Sequence, residues 1–111
     1  MTTSHVSYEF VSVAESVELP DNGRLLIEVD GLPIVLLRIA GMAFAVADLC
    51  SHDDGPLGDG ELDGHAIICP RHGARFDVRT GKALCLPAIV DIPVYPVREN
   101  DGQIEIGLPS A

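Results

Sequence analysis

At 111 residues, with 47 % hydrophobic and 22 % charged side chains, the chain has the balance of one small globular domain and not of a disordered segment. Its net charge of −10 argues against nucleic acid, whose phosphates require a basic surface, and suits either solubility or docking to a basic protein partner. The most apolar run, Ile39 to Ala47, is far short of the roughly twenty residues of a membrane span, and Met1-Thr2-Thr3-Ser4-His5 lacks the start of an export signal, so a soluble cytoplasmic protein is expected.

The elements in chain order follow a period of two. Tyr8–Val13 reads as a first strand, and Pro20-Asp21-Asn22-Gly23 as a turn. Leu25, Ile27 and Val29 then alternate with Leu26, Glu28 and Asp30, as on a partly buried strand. After Asp30-Gly31 the run Pro33 to Ile39 is rich in branched aliphatic residues. A turn at Ala40-Gly41 leads into Met42-Ala43-Phe44-Ala45-Val46-Ala47, where large and small residues alternate. Further strands are predicted at His65–Cys69, Ala74–Val78, Pro93–Arg98 and Gln103–Gly107, with turns at Thr80-Gly81 and Asn100-Asp101-Gly102. No window supports an amphipathic helix of three turns. The expected fold is all-β, a small antiparallel sandwich or partly open barrel, with one domain over residues 1–111.

One segment breaks this rhythm. Asp48 to Gly64 reads DLCSHDDGPLGDGELDG, with four glycines, one proline, six acids and no lysine or arginine. A stretch of this length without strand pattern is commonly functional or disordered. It places Cys50 and His52 in one turn-rich loop, and Cys69-Pro70-Arg71-His72 sets a second cysteine and histidine in another, with sixteen residues between His52 and Cys69. Either pair alone carries little meaning. Together they supply two thiols and two imidazoles, a donor set competent for zinc or for an iron–sulfur centre. Zinc fingers usually pair like ligands close together. Here each loop offers one of each kind, which suits a binuclear centre held between two loops. Three cysteines are an odd number and too few for a disulfide scaffold.

These residues carry a resemblance. From about Tyr8 to Ile106 the chain resembles a Rieske-type [2Fe–2S] ferredoxin, with the C-x-H and C-x-x-H halves complete. The run His72-Gly73-Ala74-Arg75-Phe76-Asp77-Val78-Arg79-Thr80-Gly81 looks like the strand that leaves the family's second ligand loop, and Leu86-Pro87-Ala88 looks like its third, cluster-covering loop. The resemblance implies a cluster-binding subdomain of two ligand loops at about residues 48–88 and one [2Fe–2S] cluster per chain. It also implies that Cys50 and Cys69 hold one iron while His52 and His72 hold the other through Nδ1. Exchanging two thiolates for two neutral imidazoles removes about two negative charges from the centre, so adding an electron becomes easier.

Departures from the respiratory branch of that family bear on potential. Its loop-joining disulfide has no counterpart, because Gly55 and Arg71 stand at those positions. Its serine and tyrosine hydroxyl donors to cluster sulfur are replaced by Ala74 and Phe76. Fewer donors stabilise the reduced state less, and Asp53 and Asp54 beside His52 oppose reduction further. The expectation is a potential near the low end of the roughly −150 to +300 mV Rieske range.

The resemblance therefore points to a one-electron carrier between a reductase and a terminal oxygenase, in a ring-hydroxylating dioxygenase-type system. The carrier is not itself an enzyme, and neither membrane nor nucleic acid is a partner. The alternatives are an accessory subunit like the small subunit of nitrite reductase, a companion of iron–sulfur assembly, or a zinc-stabilised structural module. Of the remaining residues, Cys85 is expected as a small buried hydrophobe, and His65 as a solvated or loop-anchoring side chain. Arg75, Arg79 and Lys82 are expected on a solvated strand face that balances the acidic loop. Arg71 stands between that role and orienting a partner.

Overall fold

The computed structural model describes residues 8–49, 57–70, 73–85 and 90–109. Within them the chain forms three antiparallel sheets and one short 3-10 turn, Ser16–Glu18. The first sheet has the order β1–β11–β10, from β1 (Tyr8–Glu15), β10 (Val97–Asn100) and β11 (Gln103–Pro109). The second has the order β2–β3–β4–β9, from β2 (Arg24–Val29), β3 (Leu32–Ile39), β4 (Met42–Ala47) and β9 (Val94–Tyr95). The third, β5–β6–β7–β8, is made of very short strands: β5 (Leu62–Asp63), β6 (Ala66–Ile68), β7 (Arg75–Asp77) and β8 (Ala83–Cys85).

Strand β3 explains the layering. Its side chains alternate between two cores, so a strand buried on both faces reads as a continuous apolar run. Ile34 and Leu36 pack with Leu19, Ala45, Ile104, Ile106 and Leu108 against the first sheet. Val35, Leu37 and Ile39 pack on the opposite side with Leu57, Ile67, Cys69 and Phe76, against the third sheet. The central sheet is thus a wall shared by a barrel-like half and a smaller loop-bearing half. The expected alternation on β2 holds too, with Leu26 exposed between half-buried Leu25 and Ile27.

Hairpin turns fix the registers. Val29↔Leu32, Ile39↔Met42 and Asn100↔Gln103 each enclose a two-residue loop. Both loop residues lie at positive φ in each case: Asp30 and Gly31, Ala40 and Gly41, Asp101 and Gly102. That is the twist-matched geometry that keeps neighbouring strands paired. Ala40, at φ 52, occupies it without the local hydrogen bonding available to Asn or Asp.

Two differences from the sequence reading stand out. The expected strand Pro93–Arg98 is two strands, β9 and β10, interrupted at Pro96. Proline has no N–H for a ladder, and here its carbonyl turns to accept the Gly107 N–H at 2.8 Å. Strands β5 and β8 were not anticipated, since two or three residues are too few to display a period.

The first and second sheets are also tied by charge. The Arg38 guanidinium meets the Glu99 carboxylate in a two-pronged pair, 2.9 Å for Nη1–Oε1 and 2.8 Å for Nη2–Oε2. Its Nε donates to the Leu19 carbonyl at 2.6 Å. The Ser16 hydroxyl donates to Glu99 at 2.7 Å. Held chiefly by the Arg38 hydrogen bonds, Glu99 titrates at about 2.

Candidate metal centre

The second loop is built from the end of β6. Cys69 follows that strand directly, and its backbone closes a tight loop. Its N–H donates to the Ala74 carbonyl at 2.7 Å, and its carbonyl accepts the Gly73 N–H at 3.0 Å. Gly73 sits at φ 77, a conformation that side chains disfavour. The loop therefore turns back on itself within five residues. Cys69 is 1 % exposed and borders an open hollow of about 360 Å³ lined with Asp59, Glu61, Ile68, Pro70 and Gly73.

The first loop starts from an equally firm base. At the end of β4, the Asp48 N–H donates to the Pro33 carbonyl at 2.9 Å. The Asp48 carboxylate accepts the N–H groups of Leu57 and Gly58, both at 2.7 Å. Leu57 is fully buried in the core that holds Cys69. Gly60 backs so closely onto the Ile68 carbonyl that a Cβ there would collide with it. Arg24 reaches over from β2 and donates through Nη1 to the carbonyls of Gly58 and Gly60, both at 2.6 Å. The flank of the third loop touches the second, with the Cys85 Sγ lying 3.8 Å from the Gly73 carbonyl.

Of the four expected ligands, Cys69 lies among the described residues, buried at the end of β6 beside a hollow. Cys50, His52 and His72 lie outside the described residues, as do Gly55, Arg71 and Leu86-Pro87-Ala88. A buried thiol at the end of β6, in one core with Leu57 and beside an open hollow, fits a cluster ligand.

Several minor expectations meet the structure here. Cys85 is exposed, which corrects the expectation of a buried hydrophobe. It lies on β8, the edge of its sheet, where the register with β7 shifts between Arg75 and Phe76, and it is Ala83 that packs against the core. His65 is half-buried, its ring edge-on to Phe44 at 5.7 Å. Arg75 pairs with Asp63 of the acidic segment at 2.8 Å, and Arg79 with Asp77 at 2.9 Å. The Arg79 hydrogen bonds hold the Asp77 carboxyl below its ordinary value. Ala74 and Phe76 are fully buried, and neither side chain carries a hydroxyl. Asp48 and Arg24 escaped the sequence reading. The available signal was an acid at a strand end just before a glycine-rich loop, where side-chain-to-backbone hydrogen bonds are common.

The described residues form a small antiparallel sheet set on a larger β scaffold, with Cys69 buried at the end of β6. The chain belongs to the Rieske [2Fe–2S] domain family, whose model matches residues 9–96, and its cofactor is a Rieske-type [2Fe–2S] cluster. It is 44 % identical over 102 residues to the 3-phenylpropionate/cinnamic acid dioxygenase ferredoxin subunit of Photorhabdus laumondii subsp. laumondii, covering 91 % of this chain and 94 % of that one. Its fold matches the ferredoxin of carbazole 1,9a-dioxygenase from Nocardioides aromaticivorans IC177 with a TM-score of 0.82 and 30 % identity, over 90 % of this chain and 96 % of that one. It also matches a chain in the complex of reduced oxygenase and oxidized ferredoxin in carbazole 1,9a-dioxygenase, with a TM-score of 0.81 and 28 % identity, over 87 % of this chain and 91 % of that one.

Proposed function

We propose that this chain is the ferredoxin component of a ring-hydroxylating oxygenase system, a one-electron carrier from a reductase to a terminal oxygenase and not itself an enzyme. The observations that support this most are the near end-to-end matches with ferredoxin components and with a chain in a complex of oxygenase and ferredoxin. Among the described residues no helix is long and apolar enough to cross a membrane, and the reading adopted is a carrier working in the cytoplasm.

The ligand set is Cys50 and Cys69 for one iron, His52 and His72 for the other. When bound, the cluster supplies reversible uptake of one electron. The chain's own contribution is rigidity and electrostatics. The Cys69–Ala74 and Gly73–Cys69 hydrogen bonds fix the second loop, and Asp59 and Glu61 place negative charge at its mouth. Buried Ala74 and Phe76 offer no hydroxyl to cluster sulfur. The acids and the missing hydroxyls both favour the oxidised state, so the potential falls at the low end of the Rieske range.

Stopped-flow mixing of the dithionite-free reduced protein with an oxidised terminal oxygenase tests the role. The expected result is reoxidation by one electron per chain, and turnover when the protein replaces the ferredoxin in a reconstituted dioxygenase. A protein that a reductase reduces but that no oxygenase of this class reoxidises contradicts it. Cys69→Ser tests the ligand set: it loses the cluster and leaves the loops without their cross-link. A fully assembled, unchanged Rieske spectrum in that variant overturns the assignment.

A further inference from the structure

We infer that Asp48 is a positioning residue for the first ligand loop, acting as a clasp that joins the two ends of the loop and fastens them to the barrel-like half. The inference rests on the reading of Cys50 and His52 as ligands, because these residues lie two and four positions beyond Asp48.

The geometry is specific. One carboxylate oxygen, Oδ1, receives two N–H groups at 2.7 Å, from residues nine and ten positions further along the chain. Those N–H groups belong to Leu57 and Gly58, both buried. Buried backbone donors need partners, and the Asp48 carboxylate is the partner of both. A charged acceptor makes shorter and stronger hydrogen bonds than a neutral one, so an aspartate suits this position better than a hydroxyl would.

Each end of the clasp is anchored independently. The outgoing end is held by the Asp48 N–H on the Pro33 carbonyl of β3. The returning end is held by Leu57 in the core beside Cys69, and by Arg24 of β2 on the carbonyls of Gly58 and Gly60. The Gly60 N–H closes onto the Leu57 carbonyl at 2.8 Å. The two described ends of the segment, Asp48 and Leu57-Gly58, are therefore held together on one rigid base beside Cys69. Outer partners of metal ligands commonly change metal retention by 10–100-fold when removed.

The test uses the holoprotein with Asp48→Ala, Asp48→Asn and, as a control, Ile104→Val, which sits in the core on the far side of the central sheet. Three readouts are compared: hydrogen exchange of the segment containing the Leu57 and Gly58 amides, the rate of cluster loss to a chelator, and the EPR spectrum of the reduced protein. In Asp48→Ala, exchange and cluster loss each rise about tenfold and the EPR signal broadens. Asp48→Asn keeps an Oδ1 acceptor and restores all three toward the parent protein. Exchange and cluster loss within about twofold of the parent in Asp48→Ala overturn the inference. So does equal acceleration of cluster loss by Ile104→Val at matched Tm, since that reports general instability. Failure of the ligand reading is distinguishable, because Cys50→Ser would then keep an unchanged cluster, while the exchange readout still decides whether the clasp exists.

Discussion

At the scale of single residues, what matters is which atoms face the loop mouth. Ala74 is fully buried, and its carbonyl receives the Cys69 N–H at 2.7 Å. A hydroxyl introduced there stands beside the cysteine that closes the second loop. Ala74→Ser is expected to raise the midpoint potential by on the order of tens of mV, by donating to cluster sulfur. A voltammetric midpoint identical to the parent's would place the hydroxyl out of reach. Glu61→Gln removes one negative charge from the same hollow and is expected to raise the potential as well, with the difference shrinking as salt is added. The Glu99 carboxylate gives a prediction about pH. Its value of about 2 lies below the ordinary 4.5, so its pairing with Arg38 adds stability above the ordinary value. That contribution disappears as pH falls from 4.5 toward 2. Glu99→Gln should therefore lower Tm at pH 6, and the gap from the parent should close near pH 2. A gap of constant size across that window contradicts the assignment. The four ligand candidates were legible because their chemistry is tied to short, fixed spacings. The exposure of Cys85 was not, since it depends on a register shift at an edge strand that no local pattern announces.

At the scale of elements, the readable parts were the long ones. Strands β2, β3 and β4 were visible as alternation or as a continuous apolar run, and β3 proves continuous because it serves two cores. Strands β5 and β8 stayed hidden, because a strand of two or three residues is held by its neighbours and not by its own sequence. The break at Pro96 could have been anticipated from the missing N–H alone. The loop-bearing sheet depends on close backbone approach at Gly60, where a Cβ would run into the Ile68 carbonyl. That carbonyl is backbone and cannot move aside like a flexible side chain. Gly60→Ala is expected to cost roughly 2 kcal/mol or more and to speed cluster loss, as followed by thermal unfolding and visible absorption together. An unchanged Tm would show that the turn has slack. The clasp of Asp48 and Arg24 belongs to this scale too, because it works only through the pairing of segments distant in sequence.

At the scale of the whole molecule, a charge of −10 on 111 residues sets the long-range field. It suits approach to basic protein partners and disfavours taking up an electron. With no hydroxyl at Ala74 or Phe76 and with acids at the loop mouth, this carrier is expected to lie below respiratory-type centres in potential. The all-β class was readable from sequence. The sharing of one sheet by two cores was not, because it arises from how the sheets stack. The measurement that tests the central claim most directly is an EPR-monitored redox titration of the anaerobically purified protein, with iron and sulfide quantified on the same sample. The expected result is about two irons and two sulfides per chain, a Rieske-type signal appearing on one-electron reduction, and a midpoint below about +100 mV, within the lower part of the roughly −150 to +300 mV Rieske range. A midpoint above about +100 mV would contradict the hydrogen-bond and charge argument, and a colourless, zinc-loaded chain would contradict electron transfer itself.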